Sequence, residues 1–192
     1  MSEVAAKRMS LQEFLRWDDG TDTRYELIDG VPVAMAPPAE AHRILAMRLG
    51  SRIDAVLQSR WPCNAQIDAG VLRPDRCDAY YIADVAVTCR PNEPGRQAIA
   101  EPILIVEILS PSTERHDRRI KLPIYREIES VQEILLIDSD SYHAEIHRRD
   151  ANHWIIELVR GSGAILSLLS VGLSLPMAEL YDGIAIPNTE FE

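Results

Sequence analysis

The sequence predicts an α/β (α+β) fold in which helices come early and in the middle of the chain and strands dominate its end. Three observations carry this reading. Ile44, Leu45, Met47, Leu49, Ile53, Val56 and Leu57 recur at helical spacing before Pro62, the pattern of an amphipathic helix. The stretch 103–109 is apolar at every position except Glu107, as expected of a strand buried on both faces. The stretches 131–138, 142–148, 154–159 and 165–169 are short, rich in strand-forming residues and separated by turn residues, which marks four further strands.

The remaining elements follow in chain order. Ser10-Leu11-Gln12-Glu13 has the form of a capping box, and Leu11, Phe14, Leu15 and Trp17 give a short opening helix its apolar face. Residues 24–29, a turn at Gly30 and residues 31–35 read as a hairpin. Strands are expected near 65–72 and 82–89. The apolar strand at 103–109 must end at Ser110-Pro111, after which Thr113 can cap a helix over 114–127. Pro123 removes a backbone donor within it and should break or kink it. Residues 176–181 supply one closing turn.

A chain of 192 residues with 46% hydrophobic content has the size of one domain, here 1–192, with an ordered core over about 10–183 and an acidic tail near 188–192 expected to fray. The opening residues MSEVAAKRMS lack the apolar stretch of a secretory signal, and no run approaches a membrane span. The expectation is a cytoplasmic protein with no membrane partner. Cys63, Cys77 and Cys89 form no CxxC, so reduced thiols are expected rather than a disulfide framework or a zinc cluster. A formal charge of -10 works against binding polyanions through the overall field. One local reversal, Arg115, His116, Arg118, Arg119, Lys121 and Arg126, gathers positive charge within a dozen residues.

The residues that point to chemistry are carboxylates in apolar strands. An ionised Glu107 inside Ile103-Leu104-Ile105-Val106-Glu107-Ile108-Leu109 is costly unless a metal or a cation compensates it. Asp84, in Ile82-Ala83-Asp84-Val85-Ala86-Val87, shows the same anomaly more weakly. Two such carboxylates on neighbouring strands can share one hard cation, with the Ile108 carbonyl and waters completing its shell. The plainer alternative is that each lies at a sheet edge or pairs with an arginine. Glu26 alternates within Arg24-Tyr25-Glu26-Leu27-Ile28-Asp29, and on local pattern alone it reads as a solvent-facing strand residue. Lys121 can reach back over the end of the 103–109 strand. Placed on a helix face, it is expected to be dispensable for folding. His143 and His147 suit a zinc pair only on a helix, and their surroundings read as strand.

Four motifs occur in order: Arg24-Tyr25-Glu26-Leu27-Ile28-Asp29-Gly30, Ala83-Asp84-Val85, Val106-Glu107-Ile108-Leu109-Ser110-Pro111-Ser112-Thr113, and Asp117 through Lys121 to Tyr125. Together they resemble the Uma-two-type restriction-endonuclease family, also known as domain of unknown function 820, within the PD-(D/E)XK nuclease superfamily. The likeness runs over about 10–183. It implies a restriction-endonuclease-like core, a mixed β-sheet flanked by helices, with Asp84 and Glu107 as ligands of magnesium or manganese. It further implies DNA phosphodiester hydrolysis, with a homodimer where both strands of a duplex are cut. There are two departures: Ala83 stands where the family has proline, and Leu109 stands where the wider superfamily has its lysine. Lys121 is then the matching cation, stabilising the developing hydroxide. Glu26 would position the attacking water or hold a second metal, and Arg115, Arg118 and Arg119 would contact phosphate on either side of the site or, equally, form surface ion pairs. The competing reading is a nuclease-fold protein without turnover that serves as a nucleic-acid-binding or interaction module. A hydrolase of smaller phosphoesters is the third.

Overall fold

The computed structural model describes residues 8–186, so the acidic tail lies outside the described residues. Helix α1 spans Leu11–Phe14, with the capping box formed as Ser10 and Glu13 bond reciprocally. Strands β1 (Tyr25–Ile28) and β2 (Val31–Ala34) make the hairpin. Its turn residues Asp29 and Gly30 have φ of 48° and 80°, as a two-residue hairpin loop of this hand requires. Helix α2 spans Glu40–Leu57 and buries Leu45, Leu49, Ile53 and Leu57. Met47, counted with that face in the sequence, points outward and is 60% exposed. At Gly50 α2 approaches the sheet closely, since a Cβ there would lie 3.3 Å from Ile67 Cγ2.

Strands β3 (Asn64–Leu72), β4 (Tyr80–Thr88), β5 (Pro102–Leu109), β6 (Glu133–Asp138), β7 (His143–Asp150) and β8 (His153–Arg160) complete one mixed sheet. It has eight strands in the order β2-β1-β4-β5-β6-β7-β8, with β3 also paired to β4. Among the described residues only β5 and β6 run parallel, which explains the near-continuous apolar sequence of β5. Strands β9 (Ile165–Leu168) and β10 (Leu173–Pro176) form a separate hairpin, followed by α5 (Met177–Leu180). The closing turn expected at 176–181 is thus a short helix preceded by an unexpected strand.

The helix expected over 114–127 is three pieces: α3 (Glu114–His116), a π-helical turn (Asp117–Lys121) and α4 (Leu122–Glu127). The Leu122 N–H bonds the Asp117 carbonyl five residues back. Pro123 has no N–H to give the carbonyl four residues before it, and the ladder widens in the preceding turn. Two apolar clusters flank the sheet. The larger joins α2 to β4–β7 and to the β9–β10 hairpin, and the other joins α4 to β3–β6.

One expectation fails outright. Cys63 and Cys89 are joined in a disulfide, and only Cys77 is free. The two cysteines sit just beyond the paired residues Asn64 and Thr88, so the β3–β4 ladder brings together thiols whose spacing in the sequence suggests nothing. No helix among the described residues is long and apolar enough to cross a membrane.

Candidate active site

The candidate site lies where β4 and β5 part. Their antiparallel pairing ends at Val85 with Val106, and the next residues along each strand are Asp84 and Glu107. Beyond this point β5 stays with β6, and the fork is bridged by side chains. Asp84 Oδ2 accepts the Ile108 N–H at 2.6 Å. The exposed backbone of Ile82 is satisfied in the same way: its N–H donates to Glu26 Oε1 at 2.9 Å, and its carbonyl accepts from Lys121 Nζ at 2.8 Å. The structure thus brings together Glu26, Asp84, Glu107 and Lys121, four residues separated by up to most of the length of the sheet-forming sequence.

Lys121 is the hub. The widened π turn places Asp117 and Lys121 on its buried side. The ammonium lies 3.1 Å from Glu26 Oε1, 3.3 Å from Glu107 Oε1 and 3.4 Å from Asp117 Oδ1, with its side chain 5% exposed. Burial alone would lower its pKa, but Glu107, Glu26, Asp117 and Asp84 outweigh that and raise it. Lys121 is therefore a fixed cation and not a proton acceptor. Glu26, expected on local pattern to face solvent, is buried instead, because β1 pairs with β4 and turns this side chain into the fork. His116 Nε2 lies 2.9 Å from Glu26 Oε2. Burial raises the Glu26 pKa, yet the bonds from His116, Lys121 and the Ile82 N–H together hold it below the usual range. Both of its oxygens are engaged, which suits anchoring Lys121 better than binding a second metal.

Glu107 is 1% exposed. It accepts the Tyr125 hydroxyl at 2.6 Å, and burial, joined by the charges of Asp84 and Asp117, pushes its pKa well up against the pull of Lys121. Burial likewise raises Asp117, again against Lys121. Asp84 is the carboxylate that solvent reaches, its side chain 15% exposed, and His42 of α2 meets it with Nε2 2.9 Å from Oδ1. Burial lowers the His42 pKa, but the bond to Asp84 and its charge win and raise it.

Four carboxylates, Glu26, Asp84, Glu107 and Asp117, thus surround one ammonium and two imidazoles. The excess of negative charge and the oxygen donors fit a hard divalent cation. Among the described residues no three His, Cys, Asp or Glu side chains stand together at metal-holding spacing. Asp84 and Glu107 can therefore hold a cation only with help from backbone and water, the manner in which magnesium is usually bound. The Ile108 carbonyl suits this, since the N–H and C=O of a strand residue face the same neighbour and its N–H faces Asp84.

His42, His116, Asp117 and Tyr125 join the site without having been singled out in the sequence for a role there. Asp117 and Tyr125 bounded a recognised motif, but nothing local tells that a π turn aims both inward. The positive cluster disperses in three dimensions. Arg118 is tied to Glu114 and Glu145, both at 2.8 Å, and Arg126 bonds His147 Nδ1 at 2.7 Å. Arg115 and Arg119 are exposed and have no ion-pair partner among the described residues. His143 and His147 lie on strand β7 and are engaged by Asp138 and Arg126.

Known proteins are similar to this chain. A solved structure from Anabaena variabilis, described as a "putative nuclease belonging to DUF820", superposes with a TM-score of 0.74 at 20% identity, covering 90% of this chain and 97% of that one. This is a likeness of fold. Two uncharacterized proteins of Synechocystis sp. are similar in sequence. One is 31% identical over 189 residues, covering 93% of this chain and 94% of the relative. The other is 25% identical over 170 residues, covering 85% and 94%. The family model described as "Uma2: Putative restriction endonuclease" matches residues 11–178, from the start of α1 into α5 and so across every residue of the fork, and the chain belongs to that family.

Proposed function

We propose that this protein is a magnesium- or manganese-dependent endonuclease that hydrolyses DNA phosphodiester bonds at the β4–β5 fork. The observation that carries this reading is the charge balance at the fork: three buried carboxylates, Glu26, Glu107 and Asp117, converge on a single ammonium with Asp84 beside them, an arrangement that folding alone does not call for and that a divalent cation offsets. Asp84, Glu107 and the Ile108 carbonyl would hold the cation, which when bound polarises a phosphate and acidifies a water. Lys121 supplies a positive charge whose position is fixed by Glu26, Asp117 and the Ile82 carbonyl, so it needs no reorganisation as negative charge develops nearby. Glu26 acts through Lys121. Cutting both strands of a duplex usually calls for two such sites, and a two-fold homodimer would provide them.

The test is incubation of the purified protein with linear, supercoiled and single-stranded DNA in magnesium, in manganese and in chelator. Cleavage is expected only with metal, and Asp84→Asn should lower it by at least about 100-fold, the scale on which a pre-organised electrostatic group contributes. Asp84 borders solvent, so the variant should stay folded. Metal-independent cutting, or full activity in Asp84→Asn, would refute the reading.

Phosphate contact is assigned to Arg115 and Arg119, the two exposed guanidinia on the segment that carries Lys121. Each Arg→Ala change should weaken DNA binding by a similar factor for all sequences and flatten the salt dependence of log Kd by about 1 per residue. Arg118→Ala should leave that slope unchanged, its guanidinium being spent on Glu114 and Glu145. Titration of labelled DNA at several salt concentrations reads all three.

A second reading, a nucleic-acid-binding module without turnover, is favoured by one observation: the Lys121 ammonium is saturated by three carboxylates and a carbonyl. Under it DNA binding persists in Asp84→Asn and no condition yields cleavage.

A further inference from the structure

We infer that the free edge of strand β8 is a docking surface for a second copy of this chain, the two β8 strands pairing antiparallel about a two-fold axis at Glu157. Strand β8 ends the eight-stranded sheet, and among the described residues only β7 pairs with it. Its register with β7 is unbroken from His153 to Arg160, and the Gly161 N–H that follows donates to the Tyr142 carbonyl. Successive residues of a strand turn their backbone groups to opposite sides. Those of Ile155, Glu157 and Val159 therefore serve β7, and those of Trp154, Ile156, Leu158 and Arg160 point outward. Arg149 fixes the same phase from the other strand, since its N–H turns to Gln132 and away from its partner Trp154.

Exposed sheet edges are ordinarily blunted by a proline, a bulge or a lysine. This one is apolar instead. Ile155, Ile156 and Leu158 are 53%, 53% and 52% exposed, and five of the eleven large apolar side chains exposed among the described residues fall within 155–169. Outward backbone groups flanked by such side chains suit another strand as occupant, and β8 itself matches the edge. A two-fold interface must be self-complementary, residue i meeting j wherever j meets i. About Glu157 the outward residues close on one another: Ile156 meets the partner's Leu158, and Trp154 meets the partner's Arg160, whose guanidinium is exposed and has no ion-pair partner among the described residues. All four outward-facing residues of each copy are then hydrogen-bonded, and Ile156 and Leu158 of both copies form one aliphatic cluster. Glu157 meets its own counterpart, a like-charge contact, but each Glu157 is already held by its own Arg148. Glu107, Leu136, Glu145 and Leu158 stand opposite one another in successive strands, so the aliphatic cluster shares the face of the sheet on which Glu107 meets Lys121. A two-fold axis perpendicular to the joined sheet keeps that face common to both copies, and one particle carries two forks. Their joint use on a duplex rests on the nuclease reading above, whereas the interface does not.

The full-length protein is expected to sediment as a dimer. Ile156→Pro removes an outward N–H that β7 does not use, so the ladder within each copy stays whole while two symmetry-related hydrogen bonds across the interface are lost. The dimer Kd should rise by at least about tenfold. Leu158→Lys, which sets a charge in the aliphatic cluster, is the second variant should the proline form fold poorly, and it too should dissociate the dimer. Crosslinking tests the axis. In a Cys77→Ser background, Glu157→Cys should form an intermolecular disulfide under air oxidation, because facing residues of a non-hydrogen-bonded antiparallel pair have Cα atoms about 4.5 Å apart. Ile155→Cys should not, since its counterpart lies about 13 Å away along the strand. A monomeric parent, a dimer that survives both edge variants, or the absence of the Glu157→Cys crosslink would each overturn the inference, whether or not DNA is cut. A crosslinking dimer that dissociates in the edge variants but cuts no DNA with magnesium or manganese would uphold the interface and remove the nuclease reading alone.

Discussion

Lys121→Ala is expected to destabilise the protein by on the order of 3 to 5 kcal/mol, the usual result of removing one partner from a buried ion pair. On the sequence alone this substitution should be silent for folding, because a helical lysine is ordinarily a solvated charge. Burial reverses that expectation. The side chain is 5% exposed and its ammonium contacts Glu26, Glu107 and Asp117, while the Ile82 carbonyl accepts its shortest hydrogen bond. Alanine leaves three buried carboxylates facing one another and one strand carbonyl without a partner, and each unsatisfied group carries its own desolvation cost. For a chain of this length the melting temperature should fall by about 10 °C or more. Added magnesium should restore part of the loss by supplying positive charge to the same carboxylates. Activity should vanish in any case. A melting temperature within about 2 °C of the parent would show that the ammonium is not the counter-charge of the fork.

Why one residue of this site was legible and its neighbour was not comes down to what a sequence window contains. Asp84 and Glu107 betray themselves because a carboxylate inside a run of β-branched and aliphatic residues contradicts its surroundings. The same logic located β5, whose burial on both faces leaves no polar alternation. Glu26 is equally buried, yet its strand does alternate, and alternation reads as one wet face. Only the pairing of β1 with β4 makes that face interior. His42 lies 42 positions before Asp84 in a helix whose pattern marks Leu45, Leu49 and Ile53, and a lone polar residue one turn ahead of them carries no signal. The π turn is half-legible: Pro123 announces a disturbance, but whether the helix breaks or widens depends on packing against β5 and β6. The β9–β10 hairpin was half missed because Leu173-Ser174-Leu175-Pro176 is too short, and ends in a residue too poor in strands, to stand out. The Cys63–Cys89 pairing follows from register alone, which no spacing in the chain records.

Glu107→Gln is expected to leave the metal-free protein as stable as the parent or more so, and to abolish its stabilisation by magnesium. The reason is the ratio of charges. Lys121 retains Glu26 and Asp117 when Glu107 is neutralised, so no buried cation is stranded, and the repulsion of Glu107 with Asp84 and Asp117 disappears. Glutamine can place its amide oxygen toward Lys121 and its N–H toward the Tyr125 hydroxyl oxygen. The pH dependence should change as well. The Glu107 carboxyl titrates well above its ordinary value in the folded protein because it is buried among like charges, whereas in the unfolded chain it titrates near 4.3. Between these values the folded state holds a proton that the unfolded state has released. The stability linked to this group is fully present below about pH 4.3 and is lost as pH rises through the folded value. The variant lacks that loss, and its metal-free melting temperature should exceed the parent's by more at pH 8 than at pH 5. Magnesium should raise the parent's melting temperature at pH 8, where its binding opposes the same repulsion. Melts of both proteins with magnesium and with chelator, at the two pH values, decide the matter. A strongly destabilised Glu107→Gln together with no magnesium response in the parent would make Glu107 a structural ion-pair partner, and the metal-binding role of the fork would be lost with it.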